Sequence, residues 1–154
     1  MKEAKPIKRS KQLAPFSREH HDTLLFIWKI KQGFKNKTST EIIGAYAQWF
    51  WNNHMKEHFD QEEKLLLPHL HGDELGSRLK KEHETIRNLV MNAMNETSIN
   101  LLATTLNDHI RFEERQLFPL IEEKVSSDEL DRIFEQLDHQ KQCESEWSNR
   151  FWTK

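Results

Sequence analysis

Two stretches of the chain repeat one another without a gap: His58-Phe-Asp-Gln-Glu62-Glu63-Lys-Leu-Leu66-Leu-Pro68 and His109-Ile-Arg-Phe-Glu113-Glu114-Arg-Gln-Leu117-Phe-Pro119. The shared positions are His, Glu, Glu, Leu and Pro. A helix turns about 100° per residue, so His58 and Glu62 share one face, as do His109 and Glu113. Each stretch therefore offers an imidazole and a carboxylate one turn apart. Proline lacks the amide that would continue a helix, so each stretch reads as the end of one.

Working outward, Thr38 and Glu41 have capping-box spacing and open the helix that ends near Leu67. A helix before it runs from about Ser17, a candidate N-cap, to Phe34. It carries apolar Leu24, Leu25, Ile27 and Trp28 at helical spacing. Past the loop His69–Gly72, a third helix spans about Asp73 to Met94, with Gly76 weakening its first turns. Thr97 or Ser98 caps a fourth, which reaches Glu123. Ser126 and Glu129 again have capping-box spacing, and a fifth helix extends towards Asn149. Short loops make neighbouring helices antiparallel. The expectation is an all-α bundle of four helices with a C-terminal addition, in one domain over 16–154 behind a polar tail over 1–15.

Composition agrees. With 154 residues the chain fits one domain. Four Gly and four Pro are too few for the turns of a sandwich or barrel, while nine Phe and five Trp can fill a core. A net charge of −2, from 23 basic and 25 acidic residues, provides no field to recruit nucleic acid or an anionic membrane. The uncharged run from Ile42 is too short to span a bilayer. A single cysteine, Cys143, forms no internal disulfide and suits a reducing, cytoplasmic setting; without an activating neighbour it reads as inert.

The first and third helices echo each other more weakly. Aligning His-acid-Thr-aliphatic matches His21 with His83, whereas aligning Glu-His matches His20 with it. Adjacent residues point about 100° apart, so only one can join the core. His21 is in register with Leu24, Leu25 and Trp28 and is the favoured choice. The set is then His21, His58, His83 and His109 with Glu62 and Glu113. Imidazoles and carboxylates together suit iron, manganese or zinc, and bundle cores host two-metal carboxylate sites. Two bridging glutamates with two imidazoles per metal leave an octahedral ion a position for an exogenous ligand. His54, one turn before His58, is a possible fifth ligand but fits better as a polar residue above the site. His69 and His71 read as solvated and His139 as a surface residue. The aromatic run Tyr46, Trp49, Phe50 and Trp51 reads as core or dimer packing.

This ordered set resembles the hemerythrin-like (HHE cation-binding) family, on His21, His58 with Glu62, His83, and His109 with Glu113, over roughly Phe16 to Glu123. The resemblance implies an up-down-up-down four-helix bundle. It also implies a non-haem di-iron centre, bridging glutamates, and binding of O2 or a related small molecule such as NO. The oxygen carriers of the family have a second histidine four residues from the one on the third helix, where this chain has Leu79 and Arg87. They also end with the spacing that Glu114, rather than Glu113, has from His109. The symmetric four-histidine set is more similar to the non-carrier branches, tied to iron-sulfur repair or NO stress, although residues 1–15 lack the cysteine of the repair proteins.

The leading expectation is binding or sensing of O2 or NO, or iron handling. An oxidoreductase acting on peroxide or NO and a metal-free helical interaction module are the alternatives. Ferritin-like Glu-x-x-His and zincin His-Glu-x-x-His patterns are both missing from the sequence.

Overall fold

The computed structural model describes residues 9–93, 95–138 and 147–153. Residues 1–8 of the expected tail, Met94, His139 and Cys143 lie outside them, as do 139–146 of the expected last helix. Among the described residues there are five helices and no strand. Helix α1 is Ala14–Lys35. Helix α2 covers residues 40–66, beginning with Thr40–Phe50 and followed by the 3-10 turn Leu67–Leu70. Helix α3 is Glu74–Met91. Helix α4 covers residues 96–124, from Glu96–Phe112 to Phe118–Lys124. Helix α5 is Ser127–Asp138. The first four pack as an up-down-up-down bundle, α1 and α3 each lying along α4.

Local chemistry explains most helix starts. Ser39 accepts from the Ile42 N–H, Asp73 from the Leu75 N–H, and Asn95 and Ser98 form a reciprocal capping box. Ser126 accepts from the Glu129 N–H. Helix α1 differs from expectation: it begins three residues earlier, with Pro15 in its first turn and no side-chain cap. Ser17 lies within it and donates to Glu114. At the other end of the chain, residues 147–150 are not helical.

Both halves of the repeat carry a π turn. It spans Glu62–Leu66 in α2 and Glu113–Leu117 in α4. The Leu67 N–H reaches back to the Glu62 carbonyl and the Phe118 N–H to that of Glu113, five residues away in each case. Each turn precedes the repeat's proline, whose ring crowds the carbonyl four residues back and removes one helical donor. A widened turn is one way to absorb that conflict. A third π turn, Trp51–Met55, holds His54.

Two apolar clusters divide the bundle lengthwise. One joins Phe26, Ile30, Phe50, Ile86, Val90 and Leu106. The other joins Leu13, Phe16, Leu66, Leu79, Leu117 and Phe118, and α5 adds Leu130 and Ile133 to it. Tyr46 and Phe50 are buried in the first cluster, where Trp147 and Phe151 of the C-terminal segment meet Tyr46 edge-on and Trp152 meets it at a tilt. On every bundle helix the polar site residue falls between members of the two clusters: His20 between Phe16 and Phe26, His83 between Leu79 and Ile86. Among the described residues, no helix is long and apolar enough to cross a membrane.

Candidate metal centre

The polar layer consists of His20, His58, Glu62, His83, His109 and Glu113, all buried. Their ligand atoms form two overlapping groups, His20–His58–Glu62–Glu113 and Glu62–His83–His109–Glu113, each with all atoms within 4.8 Å of one another. Both glutamates belong to both groups. Helix α1 contributes His20 and not His21, which is exposed. The buried stripe of α1 is Phe16, His20, Thr23, Phe26, Ile27 and Ile30. Leu24, Leu25 and Trp28, which selected His21, face solvent at 42%, 42% and 48% exposure. Helix α1 has two apolar stripes, and the one with aromatic Phe16 and Phe26 and β-branched Ile27 and Ile30 fills the core.

The other open choices also have definite places. Glu113 is fully buried between the groups, while Glu114 turns outward to accept from His20 Nδ1 at 2.6 Å. His54 belongs to neither group; it meets the Trp49 ring edge-on and the Phe50 ring at a tilt, and burial lowers its pKa. Its π turn adds a residue to the helix and carries it off the His58 face. His69 and His71 also lie outside both groups, His71 exposed.

Around the six runs a second ring that the sequence reading did not assign. His20 Nδ1 donates to Glu114, His58 Nδ1 to Glu19 (2.5 Å), His83 Nδ1 to Glu63 (2.7 Å) and His109 Nδ1 to Glu82 (2.7 Å). The ring follows a pseudo-two-fold rule. In each Glu-His dipeptide, Glu19-His20 and Glu82-His83, the glutamate holds the histidine of the following repeat. In each Glu-Glu pair, the second glutamate holds the histidine of the other kind. Aligning the first and third helices on Glu-His, which selects His20, was the signal that could have found it.

With Nδ1 committed outward, each Nε2 points into the layer. There the Nε2 atoms of His58 and His109 lie 2.9 and 3.0 Å from one oxygen each of Glu62 and Glu113, and these four buried atoms meet as ion pairs without hydrogen-bond geometry. A buried polar atom without a hydrogen bond is costly, and four of them converging on one layer fit a cation that they would ligate. Charge points the same way. With neutral imidazoles, six carboxylates (Glu19, Glu62, Glu63, Glu82, Glu113, Glu114) exceed by three the guanidiniums paired with them (Arg9, Arg78, Arg87), two of which are shared further with Glu122 and Asp60.

Without metal, protons fill that role. Burial alone would lower the histidine pKa values, but the surrounding carboxylates outweigh it. Glu113, Glu62 and Glu63 push His83 up to about 10, and Glu113 and Glu82 push His109 up to about 9. His58 is held well above its ordinary value, chiefly by Glu62 and Glu19. In turn, His83 and Arg87 hold Glu63 down to about 2. Burial opposes the same shift at Glu114, but His20, Ser17 and Arg9 bring it to about 2.

A cluster of buried imidazoles and carboxylates on four antiparallel helices defines a metal-binding helical bundle protein. The family model Hemerythrin HHE cation binding domain matches residues 16–121, and the chain belongs to that family. No curated protein and no solved structure matches it.

Proposed function

We propose that the polar layer holds two metal ions, iron by preference, and that the protein binds or senses a small diatomic ligand such as O2 or NO there, or handles the iron itself. The observation that carries the reading is the sharing of both Glu62 and Glu113 by two four-donor groups. Two nitrogens and two carboxylates per position favour iron, manganese or zinc over calcium or magnesium, which prefer oxygen alone. When bound, such a pair supplies an open coordination position and a reversible change of oxidation state.

The chain's own residues prepare for this. The outer carboxylates fix the tautomer and the plane of each imidazole and raise its basicity. Glu62 and Glu113, fully buried, can span two cations without competition from water. Phe118 stacks on the His20 ring at 5.5 Å and Phe59 on the His83 ring at 3.9 Å, which excludes water and limits access to small ligands.

The test is anaerobic loading of the protein with Fe2+, followed by absorption spectra before and after NO or O2. A new band that returns to baseline on removing the gas supports reversible binding. Steady consumption of O2, NO or peroxide would instead make the protein an enzyme. A loaded protein whose spectrum ignores every ligand would leave iron handling as the role.

A further inference from the structure

The layer is two-fold in plan, but its surroundings are not. Three of the four outer carboxylates are held by a guanidinium. Arg9 binds Glu114 at 3.0 Å and its carbonyl at 2.7 Å; Arg87 binds Glu63 at 3.0 Å, and Arg78 binds Glu82 at 2.7 Å. Glu19, the partner of His58, forms no ion pair with an arginine or lysine among the described residues, and its side chain is 42% exposed. The side chains of Glu63, Glu82 and Glu114 are only 24–26% exposed. Ring coverage differs most between His83 and His58. His83 is completely buried, with Phe59 flat against it at 3.9 Å. His58 is the most exposed of the four histidines and meets Phe16 only edge-on, at 5.8 Å.

We infer that the two positions are unequal: the His83–His109 position retains its metal, and the His20–His58 position exchanges. The inference rests on the two-metal reading above. A metal leaves when an imidazole turns away and water reaches the vacated face. At the His83–His109 position, both rings are tied through Nδ1 to carboxylates that are themselves pinned by Arg87 and Arg78, so neither ring turns without breaking an ion pair. At the other position, Glu19 can swing into solvent and carry the His58 ring with it. Glu19, Arg78 and Arg87 are thus positioning residues. Loss of such an outer partner typically weakens metal binding about 10–100-fold, which sets the scale of the difference.

The experiment loads the full chain with Co2+, whose absorption reports its ligand field, and follows release into excess chelator. Two phases of equal amplitude are expected, separated by about 10-fold or more. Glu19→Gln should accelerate the fast phase alone. Arg78→Gln should accelerate the slow phase alone, with Arg78→Lys partly restoring it. Release of both ions in one phase, or a slow phase that responds to Glu19→Gln, overturns the inference while leaving two metals in place. If the folded protein takes up no Co2+ at all, the two-metal reading itself fails.

Discussion

His20 and His21 sit side by side on α1, yet one faces a shared glutamate at 2.6 Å and the other faces water. Hydrophobicity could not separate them, because Leu24, Leu25 and Trp28 form as good a stripe as Phe26, Ile27 and Ile30. What separates them is chemistry: Glu19 is useful only if its neighbour is His20, as Glu82 is beside His83. Four of the other five cluster residues were legible because the repeat places His and Glu one turn apart, a spacing that determines which face they share, and His83 through the weaker echo between the first and third helices. The outer glutamates were not legible, since their partners lie on other helices. The stripe assignment has an energetic consequence. Ile27→Ala should cost about 2–5 kcal/mol through lost burial and a residual cavity. Leu24→Ala or Trp28→Ala should change stability by no more than about 0.5 kcal/mol. Urea denaturation of the three variants measures this, and a large loss for Trp28→Ala would mean that the exposed face is covered.

At the scale of elements, the helices themselves were readable from apolar periodicity and the two prolines, and their number and order agree with expectation, but the caps of α2 and α4 are Ser39 and Asn95 rather than Thr38 and Thr97 or Ser98. The π turns were not, because a widened turn leaves no mark on hydrophobic periodicity. They recur at Glu62 and Glu113, where each helix must aim one carboxylate inward and the next at a neighbouring histidine. Gly76 reads from sequence as a weak point of α3, but it has a packing reason. A Cβ there would lie 2.8 Å from Leu70 Cβ and 2.9 Å from its carbonyl oxygen. The glycine lets α3 press against the turn that follows Pro68. Gly76→Ala, although it improves helix propensity, should therefore destabilise by about 1–3 kcal/mol as an overpacked contact. Thermal melting would show a fall of several degrees, and a rise in melting temperature would contradict this packing account.

For the whole molecule, the polar layer couples stability to pH and metal. In the metal-free chain, the pKa values of His83 and His109 are raised to about 10 and 9. Their contribution is complete below 6.5 and is lost as pH rises through 9 to 10. Glu63 and Glu114 are depressed to about 2, so their contribution is present above 4.5 and is lost as pH falls towards 2. Chelator-treated protein should thus be most stable between about pH 4.5 and 6.5. Metal requires neutral imidazoles, so loading should release protons and give a stability that stays level above about pH 6.5, where the metal-free chain weakens. Melting curves of both forms from pH 3 to 10 should diverge above 6.5, whereas parallel curves would detach the layer from metal binding.

The most direct test of the two-metal layer is metal content after anaerobic reconstitution with Fe2+, compared among the wild type, His20→Ala, His21→Ala and Glu113→Ala. The expected result is about two irons per chain for the wild type and His21→Ala, with a sharp loss in His20→Ala and Glu113→Ala. Equal iron in all four proteins, or a loss in His21→Ala with none in His20→Ala, would contradict it.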